Sequence, residues 1–166
     1  MKAKEHLRLL PFYLLFIVLT FLSSDHIFFW DTVQLGSMQA HHFYENGFAK
    51  ILLPNQIDSG HIPSFGLYLA IWWKLLGKEL WVSHLAMLPF LLGIVWQVNK
   101  LLLYIIPQRY IFAALILFFA EPTLLAQSVL VSPDIVLAFC FLLALNGVFR
   151  YNRYLLAFAI AGLFLI

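Results

Sequence analysis

The sequence predicts an all-α, polytopic transmembrane fold with a long loop on one side of the bilayer that carries interfacial helices. Composition is the first observation behind this: 63% of the 166 residues are hydrophobic, 17% aromatic and only 11% charged. So little polar material cannot cover a soluble domain of this length, so lipid must cover much of it. The second observation is a series of apolar runs, each near the ~20 residues needed to cross ~30 Å of hydrocarbon. The third is that most of the remaining polar groups gather in one stretch, residues 24–80. A net charge of +2 with basic residues scattered singly gives no electrostatic footprint for nucleic acid. The single cysteine, Cys140, lies in an apolar run and has no partner for an internal disulfide.

Residues 7–23 are almost uninterrupted apolar sequence, preceded by Lys2 and Lys4 and containing Arg8. That pattern suits a signal peptide or a first span; no small-residue cleavage site follows, which favours the span. Further spans are predicted at 81–106, 110–130 and 133–149. A fifth run, 155–166, begins after Arg150 and Arg153 and ends short of a crossing, so the chain reads as the truncated N-terminal portion of a longer protein. Three regions result: 1–23 with the N-terminus and first span, 24–80 as the external loop, and 81–166 with spans two to four and the partial fifth. The positive-inside rule puts Lys2, Lys4, Arg8, Lys100, Arg109, Arg150 and Arg153 in the cytoplasm, leaving Lys50, Lys74 and Lys78 outside. Of the acids, Glu5 alone falls inside, while Asp25, Asp31, Glu45, Asp58, Glu79, Glu121 and Asp134 fall outside. Acids carry little topogenic weight, so their segregation speaks to what the outer face does. Compact loops suit a bacterial inner membrane, with the active face extracytoplasmic.

Within the external loop, residues 31–46 contain no proline and are broken only by Gly36. At about 100° per residue, Asp31, Gln34, Met38, His41, His42 and Glu45 share one face of an amphipathic helix. Val33, Ala40, Phe43 and Tyr44 take the other face, against headgroups or spans. Gly47 reads as its stop. The stretch 52–63, with Pro54, Pro63 and turn formers, is predicted to be an ordered extended loop. Residues 64–76 are too few to span; with Tyr68, Trp72, Trp73, Lys74 and nearby Lys78 they read as a second interfacial helix.

Three local stretches carry a family resemblance. They are Trp30-Asp31 opening the external helix, Asp58-Ser-Gly-His-Ile-Pro-Ser-Phe-Gly-Leu-Tyr-Leu-Ala-Ile-Trp-Trp-Lys-Leu-Leu-Gly77, and Glu121-Pro122 through Ser132-Pro133-Asp134. In that order, after a first span, they resemble the GT-C superfamily of membrane glycosyltransferases, of the protein O-mannosyltransferase and aminoarabinose-transferase type, over nearly the whole chain. The resemblance implies transfer of a sugar from a polyprenyl-phosphate donor to a lipid, glycan or protein acceptor on the external side, by a displacement that inverts the sugar carbon. It also implies that Asp31 is the catalytic carboxylate, since a base must accept the proton of the acceptor hydroxyl. His61 stands where the family places a polar or basic residue before proline. Two departures stand out: Asp31 is followed by Thr32 instead of a second acid, and Ile62-Pro63 replaces Pro-Pro. They leave a divalent metal without a supporting ligand set, so no cofactor is assigned.

The substrate-binding candidates are His61, Asp134, Glu45, Asp58 and Glu121, and each has a plainer alternative. Asp31 with Gln34 approximates a capping box. Asp134 after Ser132 and Pro133 is an ordinary helix start. Glu121 and Asp58 suit turns, and Glu45 with His41 gives only two ligands of an incomplete metal site. His84, among apolar residues, reads as a hydrogen-bonded packing residue. The competing functions are a transporter component and a non-catalytic membrane assembly subunit. Transporters place ionisable groups at mid-membrane, and these spans hold almost none. The enzyme alternative alone requires Asp31, His61 and Asp134 to converge on one external cavity.

Overall fold

The structure, a computed structural model, describes residues 2–48 and 51–166; Lys50, assigned above to the outer face, lies outside them. The described residues are helical, without a strand. Helix α1 covers Lys2–Leu22 and ends where Ser23 turns the chain, its hydroxyl donating to the Leu19 carbonyl at 2.8 Å. Residues Val33–Met38 then form a π-helical turn that runs into α2, Gln39–Asn46. The sequence predicts a regular helix here. The π turn coincides with Gly36, over which Phe65 and Phe28 sit so closely that a Cβ would meet their rings at 3.2 and 3.4 Å. Its i→i+5 bonding shifts the phase of the predicted polar face. Gly47, at φ 78°, ends α2 as expected.

Helix α3, Ser64–Leu76, crosses α2 at Gly66. A Cβ on Gly66 would meet the Gln39 Cβ at 2.3 Å and the Ala40 nitrogen at 3.0 Å, so the two backbones touch only because this residue has no side chain. Helix α4, Leu80–Ile105, is the long central element, packing against α1 and α7. Helix α7, Pro133–Phe149, pairs with α8, Arg153–Leu165, through a turn in which Tyr151 takes φ 52°. Ser132 accepts from the Asp134 amide, and Asn152 accepts from the amides of Tyr154 and Leu155, so both helices start with a side-chain cap.

The predicted third span is not one helix. Residues 108–110 form a 3-10 turn, α5 covers Ile111–Phe119, and α6 covers Pro122–Ser128. The two parts are bent by 65° at the break. The Glu121 side chain accepts from the Leu124 amide at 2.6 Å and Pro122 sits at the first helical position, which starts a new helix inside the apolar run. Among the described residues, α4 alone is long and apolar enough to cross a membrane unbroken; the bent pair would make a second crossing. The segments His6–Leu22, Ser64–Leu76, Pro133–Phe149 and Arg153–Leu165 are apolar but shorter.

One apolar core runs through the helices, including Phe16, Phe43, Leu69, Met87, Ile94, Leu115 and Ile135. Phe119 of α5 packs against Phe12 and Phe16 of α1, with ring centroids 5.2 and 5.5 Å apart, pairs worth about 0.5–1.5 kcal/mol each. The outer faces are also apolar: Leu22 is 74% exposed, Leu117 77% and Phe164 77%. Near the start of α1, Arg8 donates to the Asn99 Oδ1 at 2.7 Å. Asn146 of α7 donates to the Gln97 carbonyl of α4 at 2.9 Å, so this end of the bundle is tied across three helices.

Candidate functional site

At the opposite end, the chain leaving α1 is fixed before it reaches Asp31. His84 of α4 is buried; its Nε2 donates to the His26 carbonyl at 3.0 Å and its Nδ1 lies 3.4 Å from the Ser23 hydroxyl. It is thus a hydrogen-bonded packing residue. Thr32 Oγ1 accepts from the Phe29 amide at 3.0 Å and donates to the Phe29 carbonyl at 2.6 Å. Trp30 between them takes φ 55°, a left-handed conformation uncommon for a large side chain. The capping anticipated for Asp31 is absent: the hydroxyl of Thr32 organises the turn instead. The Asp31 carboxylate is exposed and has no hydrogen-bond or ion-pair partner among the described residues. It lines an open groove with Trp30, Gln34, Met38 and Gln56.

The loop 51–63 reaches back over this helix. Asp58 Oδ1 accepts from the Gly60 amide at 2.9 Å, and Gly60 takes φ 74°, a turn that delivers His61. Gln39 donates from Nε2 to the Ser59 hydroxyl at 3.1 Å, pinning the loop to α2. His61 thereby meets Asp134, from the first turn of α7, at a cavity of about 180 Å³ whose other walls include Leu35, Gln39 and Phe65. Neither the His61 imidazole nor the Asp134 carboxylate has a hydrogen-bonding protein partner among the described residues. Through Phe65 and Ile166 this cavity adjoins an apolar groove of about 290 Å³ walled by Tyr68, Phe90, Phe139 and Phe158. Tyr68 donates to the Ala86 carbonyl at 2.7 Å, and burial pushes its phenol up to about 12.

No known protein family, curated protein or solved structure matches the chain.

The six residues singled out from the sequence therefore separate. His61 and Asp134 share the cavity. Asp31 lies in the next groove, one helical turn before Leu35 of the cavity wall, so the expected convergence of Asp31, His61 and Asp134 on one cavity holds for two of the three. Glu45 belongs to a third groove: it receives His41 Nε2 at 2.8 Å and lies 3.5 Å from Lys78, whose ammonium also contacts His41 Nδ1. The single polar face expected from Asp31 to Glu45 is thus divided at Met38, where the π turn changes the helical phase. Asp58 serves its turn and borders a shallow hollow with His61. Glu121 caps α6 and lines none of these grooves. Among the described residues no three His, Cys, Asp or Glu side chains come together as a metal site. Gln39 is the residue sequence reasoning passed over. The available signal was a polar amide on the apolar side of the external helix, beside Ala40 and Phe43.

Proposed function

We propose that the protein is a multi-pass membrane glycosyltransferase of GT-C type, which moves a sugar from a polyprenyl-phosphate donor to an acceptor hydroxyl on the extracytoplasmic side of a bacterial inner membrane. The observation that carries this is the junction of a small cavity, where His61 and Asp134 sit among apolar walls, with a larger apolar groove. An amphiphile with a polar head and a hydrocarbon tail is the ligand such a junction suits. The exposed apolar faces of α1, α5 and α8 favour a lipid environment. Helix α7, at 17 residues, reaches the lower limit for a crossing.

In this mechanism the donor sugar occupies the cavity and the acceptor approaches from the Asp31 groove. The Asp31 carboxylate takes the hydroxyl proton as that oxygen bonds to the anomeric carbon from the face opposite the phosphate. The carbon–oxygen bond to phosphate breaks, its electron pair leaves with the polyprenyl phosphate, and the sugar carbon is inverted. An unpartnered carboxylate suits this role better than one held by backbone amides, which would be a weaker base. The test is sugar transfer from polyprenyl-phosphate donors in membranes carrying the full-length protein, wild type against Asp31→Asn. A large loss supports the assignment; unchanged transfer removes Asp31 from it.

A further inference from the structure

We infer that the cavity between α2, α7 and the 51–63 loop binds the hydroxyl-bearing ring of a small sugar or polyol, recognised by the Gln39 carbonyl and the Asp134 carboxylate as hydrogen-bond acceptors. This rests on the proposed function and deepens it: the ring of the substrate, and not its phosphate, belongs here.

The inference starts from Gln39, which is 1% exposed and yet lines the cavity. A buried amide needs partners for both ends. Its Nε2 donates to the Ser59 hydroxyl at 3.1 Å. Among the described residues no donor reaches its Oε1. The carbonyl end is therefore left for whatever enters. Asp134 adds a second acceptor, its backbone amide bonded to Ser132 Oγ at 3.2 Å while its carboxylate stays unbonded. His61 in its neutral form contributes one donor and one acceptor. Among the described residues no lysine or arginine lines this space.

Such a set repels a phosphate, which brings negative charge toward the Asp134 carboxylate, and it suits neutral hydroxyls, each of which can donate. Size agrees: about 180 Å³ lies below the roughly 300–1,000 Å³ of sites for drug-sized ligands, leaving room for about one small ring. The apolar walls Leu35, Phe65 and Leu137 can cover the ring's C–H faces. A hydroxyl bonded to the otherwise unpaired Gln39 carbonyl also gives discrimination, because a ligand lacking that hydroxyl leaves the carbonyl unsatisfied.

Saturation-transfer NMR on the full chain in nanodiscs tests this, with free glucose, mannose and galactose as probes and inorganic phosphate as competitor. At least one hexose receives saturation, and phosphate does not displace it. Gln39→Leu weakens that hexose by roughly tenfold, the loss of about one hydrogen bond to a buried acceptor. Asp134→Asn, at an exposed position where folding is not at stake, also weakens it. No hexose signal, displacement by phosphate, or unchanged binding in Asp134→Asn overturns the inference. Hexose binding without any transfer activity overturns only the proposed function; transfer that persists without hexose binding overturns only the cavity assignment.

Discussion

The two ends of the helical bundle treat their polar side chains differently. At the Arg8 end they bond across helices: Arg8 to Asn99 at 2.7 Å and Asn146 to the Gln97 carbonyl at 2.9 Å. At the Asp31 end, Asp31, His61 and Asp134 face grooves and a cavity without hydrogen-bonding protein partners among the described residues. What is bonded there is the scaffold beneath them: Thr32 to Phe29, Gln39 to Ser59, Asp58 to Gly60. Both ends use polarity to join elements, the Asp31 end through His84 to Ser23 and the His26 carbonyl and through Glu45 to Lys78; the Asp31 end in addition leaves three side chains open.

The sharpest way to break that comparison is Asp31→Asn. If the open end is a catalytic face, this change lowers sugar transfer by about 10²–10⁴-fold, the usual contribution of a positioned base, and leaves thermal stability unmoved because the carboxylate has no partner among the described residues. A fall in melting temperature with unchanged transfer would make Asp31 structural and dissolve the distinction. Gly66→Ala probes the scaffold. Its new Cβ would lie 2.3 Å from the Gln39 Cβ, so α2 and α3 must separate, at about 1–3 kcal/mol of overpacking. Thermal unfolding in detergent measures the loss, and the hexose signal at the cavity falls with it because Gln39 moves.

Arg8→Met tests the closed end. It removes the donor to Asn99 and is expected to destabilise by about 1–3 kcal/mol, read by thermal unfolding, while transfer per folded molecule is retained. Arg8 Nε and Asn146 Oδ1 already lack partners, which places the effect toward the lower part of that range. A loss of transfer without a loss of stability would show that the two ends are coupled.

The sequence made some of this legible and hid the rest for physical reasons. Helices α3 and α7 were readable to the residue because their limits are local: Gly77 closes one, and Ser132-Pro133 opens the other. The π turn at Val33–Met38 was not, since it accompanies the packing of Phe28 and Phe65 over Gly36, and neither contact has a periodicity signature. The break between α5 and α6 carried an N-cap and N1-proline signal in Glu121-Pro122, masked by the continuous hydropathy around it. His61 and Asp134 were both visible as candidates, and the topology brings them to one cavity. Gln39 could not be ranked, because an amide becomes informative only once burial leaves one of its ends without a partner.

Tyr68 offers the smallest and most local measurement, at the border between the two kinds of region. It lines the apolar groove on one side and on the other ties α3 to α4 through the Ala86 carbonyl at 2.7 Å. Burial favours its neutral form and raises its phenol from 10.0 to about 12. The folded state therefore holds this proton more tightly than the unfolded chain. The resulting stability is fully present below pH 10 and is lost as pH rises from about 10 through about 12. An absorbance titration should show a late-ionising step in the wild type that Tyr68→Phe removes. The same change deletes one hydrogen bond, worth about 0.5–1.5 kcal/mol, and makes stability less sensitive to pH above 10. If wild type and Tyr68→Phe differ by no late step, Tyr68 is solvated and the groove beside it is wet. An apolar tail would then have no reason to prefer it, and the junction on which the proposed donor site depends would lose its hydrophobic half.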